Sequence, residues 1–167
     1  MAVVSPLVVV MGVSGSGKTT VGTALAERLG VPYAEADDFH PPENVAKMAS
    51  GVPLTDTDRA PWLDTIAAWL KAQGGAGGVV TCSALKRAYR DRLRRAAPDV
   101  FFLHLDGPPE LIGERLTGRT GHFMPSALLK SQFETLEALD ADEAGAVVPI
   151  DGTPDEVTEL AVAAVPR

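Results

Sequence analysis

Short apolar runs alternate along the chain with longer amphipathic ones. Leu7 to Val13 is a β-branched apolar run broken by a glycine, which predicts a strand buried on both faces. Val21, Leu25 and Leu29 then recur at intervals of four, so Lys18 to Leu29 predicts an amphipathic helix, stopped by Gly30 with Pro32 just beyond. A brief strand at Tyr33 to Ala36 runs into DDFHPP, followed by a helix at Glu43 to Ala49. A longer helix after DTDR carries Trp62, Ile66, Trp69 and Leu70 on one apolar face, with Pro61 suited to its first turn. GGAGG at 74–78 is a turn leading at once into a third strand, Val79 to Cys82. A basic helix from Lys86 to Ala97 precedes a fourth strand, VFFLHL. Helices at Glu110 to Leu116 and Ser126 to Leu139 flank TGRTGHFMP; a fifth strand at Ala146 to Ile150 and a helix at Pro154 to Ala164 close the pattern. Strands alternating with helices across short loops predict an α/β fold with a parallel sheet covered on both faces. No internal repeat, low-complexity tract or second domain interrupts it, so residues 1–167 are read as one domain.

Composition narrows the picture. Of 167 residues, 46% are hydrophobic and 22% charged, the balance of a chain able to bury a core. The net charge of −7 argues against a general nucleic-acid binder, which needs a basic footprint, but leaves room for a small anion in a local basic pocket. A lone cysteine, Cys82, cannot form an internal disulfide and fits a reducing compartment. The apolar start MAVVSPLVVVM has no basic leader or cleavage site and is too short to span a membrane. The expectation is a cytoplasmic protein acting on neither membrane nor nucleic acid.

The chemistry begins with GVSGSGKTT. Gly12, Gly17, Lys18 and Thr19 fit G-x-x-x-x-G-K-[ST] between an apolar strand and an amphipathic helix, the context the pattern requires. Glycines let the backbone turn its N–H groups inward as an anion nest, and the following helix adds its positive end. Lys18 suits the β- and γ-phosphates, the Thr19 hydroxyl suits Mg²⁺, and Val13, Ser14, Gly15, Ser16 and Thr20 complete the loop. The stretch therefore predicts a site for ATP and Mg²⁺. No guanine-reading N-K-x-D occurs, and the third strand ends TCSALK without an acid. Asp106, in HLDG, reads as a strand-end turn residue. Late in the chain, TGRTGHF offers Gly118 and Gly121 as hinges for Arg119, which would swing over the triphosphate; residues 117–126 are the expected lid. This layout predicts a small-molecule kinase.

GVSGSGKTT, DDFHPPENVAKMASGVPLTDTDRAPWL, CSALKRAYRDRLR and GRTGHFM…SQFETLE together resemble gluconokinase of the shikimate-kinase-like P-loop group, in order from about Met11 to Leu139. The resemblance implies transfer of the γ-phosphoryl of ATP to the 6-hydroxyl of D-gluconate. It also implies a three-layer fold whose five-stranded parallel sheet has the order 2-3-1-4-5, and commonly a homodimer. The alternatives are another small-molecule kinase with a shikimate-like acceptor, or an ATP-binding module without turnover. The first is disfavoured because CSALK replaces a glycine triplet, the second because Asp37 and Arg119 accompany an intact loop.

Gluconate needs positive charge at its carboxylate, donors and acceptors along its hydroxyls, and an acid near the reacting oxygen. In open α/β sheets such ligands lie beyond the carboxyl ends of strands. Asp37, Asp38 and His40 follow the second strand there, and Ser83, Lys86 and Arg87 the third. Asp37 matches the acid that the kinase group sets against the accepting hydroxyl; Asp38 is the second candidate, and spacing does not separate them. The competing role for the pair is capping the helix that starts at the prolines. Glu35 stands where shikimate kinases carry a shorter acid that helps hold Mg²⁺ through water. Arg59, Lys86, Arg87, Arg90 and His122 are further candidates for the sugar acid, whereas Arg92, Arg94 and Arg95 are expected on a solvated face and His104 in a structural position. Cys82 is expected to be a small packed side chain.

Overall fold

The structure, a computed structural model, describes residues 5–13, 15–52, 54–117 and 126–166. Its strands are β1 (Leu7–Met11), β2 (Tyr33–Glu35), β3 (Gly78–Thr81), β4 (Phe101–Asp106) and β5 (Gly145–Pro149). The helices are α1 (Lys18–Leu29), α2 (Pro42–Ala49), α3 (Asp56–Gln73), α4 (Arg87–Ala96), α5 (Pro109–Thr117), α6 (Ser126–Thr135) and α7 (Pro154–Ala164). The strands form one parallel sheet of order β2-β3-β1-β4-β5, the order the resemblance implied.

β1 is buried throughout because both faces of the sheet are covered. Its side chains alternate between two cores. Val9 and Met11 join Val80, Cys82 and Phe102 under Trp62, Ile66 and Leu70 of α3 and Tyr89 and Leu93 of α4. Val8 and Val10 join Val79, Leu103 and Leu105 under Val21 and Leu25 of α1, Ile112 of α5 and Val157 and Ala161 of α7. This is the three-layer arrangement. Among the described residues no helix is long and apolar enough to cross a membrane.

Two helix boundaries and one capping role depart most from the sequence expectation. α3 begins at Asp56, not after DTDR, because Thr55 and Asp58 form a capping box; Pro61 consequently lies inside the helix instead of its first turn. α6 stops at Thr135, four residues early, and Leu136 and Leu139 leave the helix to pack on the core. Asp37 and Asp38 belong to a single 3-10 turn, Ala36–Phe39, and α2 starts at Pro42 with Pro41 as its N-cap and no side-chain cap, so the pair does not cap that helix.

The register sets the site. Val10 lies opposite Thr81, and Thr81 opposite Glu35, so β1, β2 and β3 end level. The loops after all three strands therefore open on one edge of the sheet.

Candidate active site

The loop after β1 turns through backbone that only glycine adopts easily. Gly12 has φ 148° and Gly17, which immediately precedes α1, has φ 93°. A Cβ on Gly12 would stand 2.7 Å from the Leu105 carbonyl oxygen and 2.8 Å from Ser16 Oγ, whereas one on Gly17 would meet nothing within 4 Å. The cradle is tight behind and open in front. α1 carries neither a side-chain cap nor an acid in its first turn, leaving its N–H groups and positive end for an anion. The Lys18 ammonium arches back over the loop, donating to the carbonyls of Gly12 and Val13 at 3.0 Å each.

Glu35 closes one side. Its carboxylate accepts from Tyr33 OH at 2.6 Å and from Thr81 Oγ1 at 3.2 Å, and it also meets the Thr19 hydroxyl. Burial pushes its pKa up, but these bonds and the Lys18 charge outweigh burial and hold it below the usual carboxylate range. The result is an ionised oxygen donor beside Thr19, a set that suits Mg²⁺, which takes few protein ligands and keeps its waters.

Beyond β2, Asp37 is exposed on the 3-10 turn and acts electrostatically on both His40 and Cys82. Cys82 also feels Lys18 and Arg59, so all three charges act electrostatically on the end of β3. Asp38, also exposed, is not among the charges that act on His40 or Cys82. The His40 ring stacks on Trp62 with centroids 4.1 Å apart at 12°, and Trp62 is itself held by an Nε1–H bond of 2.6 Å to the Ala36 carbonyl. On the far side, Arg59 donates to Leu54 O at 2.8 Å and Tyr89 OH at 2.9 Å; Tyr89 OH in turn donates to Asp56, which also accepts from Lys86 Nζ at 3.2 Å.

Comparison with known proteins places this geometry. A family model described as an AAA domain matches residues 7–139. A gluconokinase of Gluconobacter oxydans (strain 621H) is 52% identical over 153 residues, covering 90% of this chain and 86% of its own length. The chain belongs to the gluconokinase family. The crystal structure of a gluconokinase from Sinorhizobium meliloti 1021 superposes with a TM-score of 0.90 at 47% identity, covering 98% of this chain and 93% of that one. Shikimate kinase from Aquifex aeolicus, 17% identical with a TM-score of 0.62, shares the fold alone; the match covers 94% of each chain.

Within this gluconokinase-family chain, Gly12, Val13, Gly15, Ser16, Gly17, Lys18, Thr19 and Thr20 form the loop after β1 and the start of α1, Asp37 and His40 follow β2, Ser83 and Lys86 follow β3, and Arg59 lies on α3. The Gly12 N–H donates to the Ser83 carbonyl at 3.3 Å, joining two of these loops directly. Ser14, Arg119 and His122 lie outside the described residues.

Two expected substrate ligands are corrected. Arg90 is fully buried, with its guanidinium bonded to Glu143 through Nε at 2.7 Å and Nη2 at 3.0 Å, and to the Ala84 carbonyl through Nη1 at 2.9 Å. Arg87 bonds Asp142 at 2.7 and 2.8 Å and Asp140 at 2.9 Å. Both turn toward the acidic stretch 137–143, not the cleft. Arg94, expected in solvent, joins Arg90 on Glu143 and lies 4.7 Å over the Phe102 ring. Arg87, Arg90 and Arg94 recur at helical spacing along one face of α4, and their acidic partners Asp140, Asp142 and Glu143 lie just past Leu139, the expected end of α6, in the connection to β5. What Arg90 does hold is the loop after β3, where Ala84 adopts φ 45°, a left-handed conformation unusual for a residue with a Cβ. The Leu85 carbonyl accepts from Glu137 N at 2.7 Å and fixes the same loop. His104 is buried with Nδ1 unbonded among the described residues, and burial lowers its pKa, a structural position as expected.

Proposed function

We propose that the chain is a gluconokinase, moving the γ-phosphoryl of ATP to the 6-hydroxyl of D-gluconate to give 6-phospho-D-gluconate and ADP. The reading is carried by an open glycine cradle in a gluconokinase-family chain, with Lys18, Asp37 and Arg59 all acting electrostatically on the end of β3 beside it. The N–H groups of residues 12–20 hold the triphosphate, and Lys18 exchanges its two loop carbonyls for phosphate oxygens. Thr19 and Glu35 are the residues that would hold Mg²⁺, Glu35 through water; bound there, the ion neutralises phosphate charge.

Asp37 orients the accepting hydroxyl and takes its proton; its electrostatic reach to His40 and Cys82 favours it over Asp38. Phosphoryl transfer asks little of a base, so most of its contribution is alignment. Arg59 and Lys86 face the carboxylate and outer hydroxyls, with His40 and Ser83 between. Arg119 from the 117–126 lid supplies positive charge to the transferring group, and His122 a further hydroxyl contact. We also read the protein as a cytoplasmic homodimer, the first in keeping with a single buried cysteine whose thiol burial pushes up to about 12.

A coupled assay of ADP release with gluconate, shikimate and AMP as acceptors tests the reading. Turnover with gluconate alone is expected. Turnover with shikimate or AMP in its place would reassign the acceptor, and ATP binding without turnover would leave a nucleotide-binding module.

A further inference from the structure

Asn44 is a buried polar side chain four residues after His40. It lies in the first turn of α2 with 4% of its surface exposed. Its Nδ2 is 2.9 Å from the main-chain carbonyl oxygen of Asp58 and 3.2 Å from Nδ1 of His40. A carbonyl oxygen only accepts, so the group facing Asp58 must be the NH₂; the amide is oriented without reference to the histidine. The second hydrogen of that NH₂ then faces Nδ1. An imidazole that accepts at Nδ1 carries its own hydrogen on Nε2. A ring protonated at Nδ1 would set N–H against N–H.

The rest of the pocket fixes where that hydrogen goes. Stacking on Trp62 sets the ring plane, and the Trp62 bond to Ala36 sets Trp62. Asp58, whose carbonyl anchors Asn44, is itself held by Lys47 at 2.6 Å and by its capping box with Thr55. Nε2 has no hydrogen-bond partner among the described residues, and the ring lies within electrostatic reach of Asp37 and Arg59. Burial lowers the His40 pKa, Asp37 raises it and Arg59 lowers it, with the balance toward the neutral ring.

We propose that Asn44 is a positioning residue that locks His40 as its Nε2–H tautomer, so that His40 donates a hydrogen bond to an oxygen of the sugar acid. It takes no proton in the transfer. This rests on the reading that gluconate lies against Asp37.

The chain has three histidines, so imidazole ¹⁵N resonances are few enough to assign, with His40→Gln identifying the one in question. Long-range ¹H–¹⁵N spectra of the full chain at neutral pH should show His40 protonated at Nε2 and bare at Nδ1. Asn44→Asp replaces the NH₂ by an acceptor and should move the hydrogen to Nδ1. It should raise the gluconate KM by roughly tenfold, the loss of one hydrogen bond, with the ATP KM unchanged. Asn44→Ala, should the acid impair folding, should give a mixture of tautomers and a smaller KM rise. A wild-type ring protonated at Nδ1 or mixed overturns the lock. A switched tautomer with unchanged gluconate KM overturns the donor role. Absence of gluconate turnover by the unaltered chain overturns the functional reading and the donor role with it, while the spectrum still decides the tautomer.

Discussion

Replacing Glu143 by Gln removes one charge from the inside of the molecule. The Glu143 and Arg90 side chains each have 0% of their surface exposed, and the carboxylate receives two bonds from Arg90, one from Arg94 and one of 2.7 Å from the Asp140 N–H. A glutamine keeps one oxygen for four donors and turns its own NH₂ against the rest, leaving Arg90 as a buried cation without a counter-charge. Breaking such a pair from one side costs about 3–5 kcal/mol, a large share of the roughly 5–15 kcal/mol that stabilises a domain. For a chain of this size that is a fall in Tm of roughly 6–20 °C. Urea unfolding followed by fluorescence reads it well, because Trp62 and Trp69 both sit on α3 in or against the core that Tyr89 and Leu93 of α4 join. Asp64→Asn, which breaks the exposed pair with Arg92, is the comparison; it should cost no more than about 1 kcal/mol. Arg90→Met combined with Glu143→Leu should recover part of the loss, since the buried cation leaves with its partner and Arg94 keeps Asp91, while the Asp140 N–H and the Ala84 carbonyl lose theirs. If Glu143→Gln were as mild as Asp64→Asn, the buried network would not be what holds the loop after β3.

Lys18→Ala should lower kcat on the order of a hundredfold or more, the scale of losing a transition-state charge contact; an unaltered kcat would refute its assignment. Gly12→Ala should weaken nucleotide binding and lower the urea midpoint, since its Cβ stands 2.7 Å from the Leu105 carbonyl oxygen on backbone at φ 148°. Unchanged binding and midpoint would mean that the cradle tolerates a side chain. Acid should destabilise the fold progressively. Burial pushes Glu143 up, but Arg90, the Asp140 N–H and Arg94 hold it at about 2, and Lys47 and Thr55 hold Asp58 at about 2. Carboxylates depressed in the folded state stabilise it fully above their ordinary pKa and lose that contribution as pH falls toward the folded value. Urea midpoints should therefore hold near neutrality and drop below about pH 4.5; a midpoint at pH 3 equal to that at pH 7 would contradict this.

The fold was legible because its signals are local and repeated: β-branched runs, four-residue periodicity and glycines at the breaks. The strand order came from the resemblance, since periodicity says which face a strand buries but not which neighbour it takes. Pro61 misled because proline at a first turn is the commoner use, and the Thr55–Asp58 cap that moves the helix start lay unread in TDTD. From sequence Arg90 reads as a ligand because a basic residue near the start of a helix beside a site looks available until its partner is known, and Glu143 lies 53 residues away. Asn44 left one trace, its spacing of four from His40, which means little before Trp62 and the Asp58 carbonyl are seen around it.

The account turns on Asp37 aligning the sugar-acid alcohol with the nucleotide. Steady-state turnover of gluconate by Asp37→Asn and Asp38→Asn, side by side with ATP affinity measured separately, tests it most directly. Asp37→Asn should lose most of kcat while binding ATP normally, and Asp38→Asn should stay close to the parent chain. Equal losses from the two, or a fall in ATP affinity that matches the fall in kcat, would contradict it.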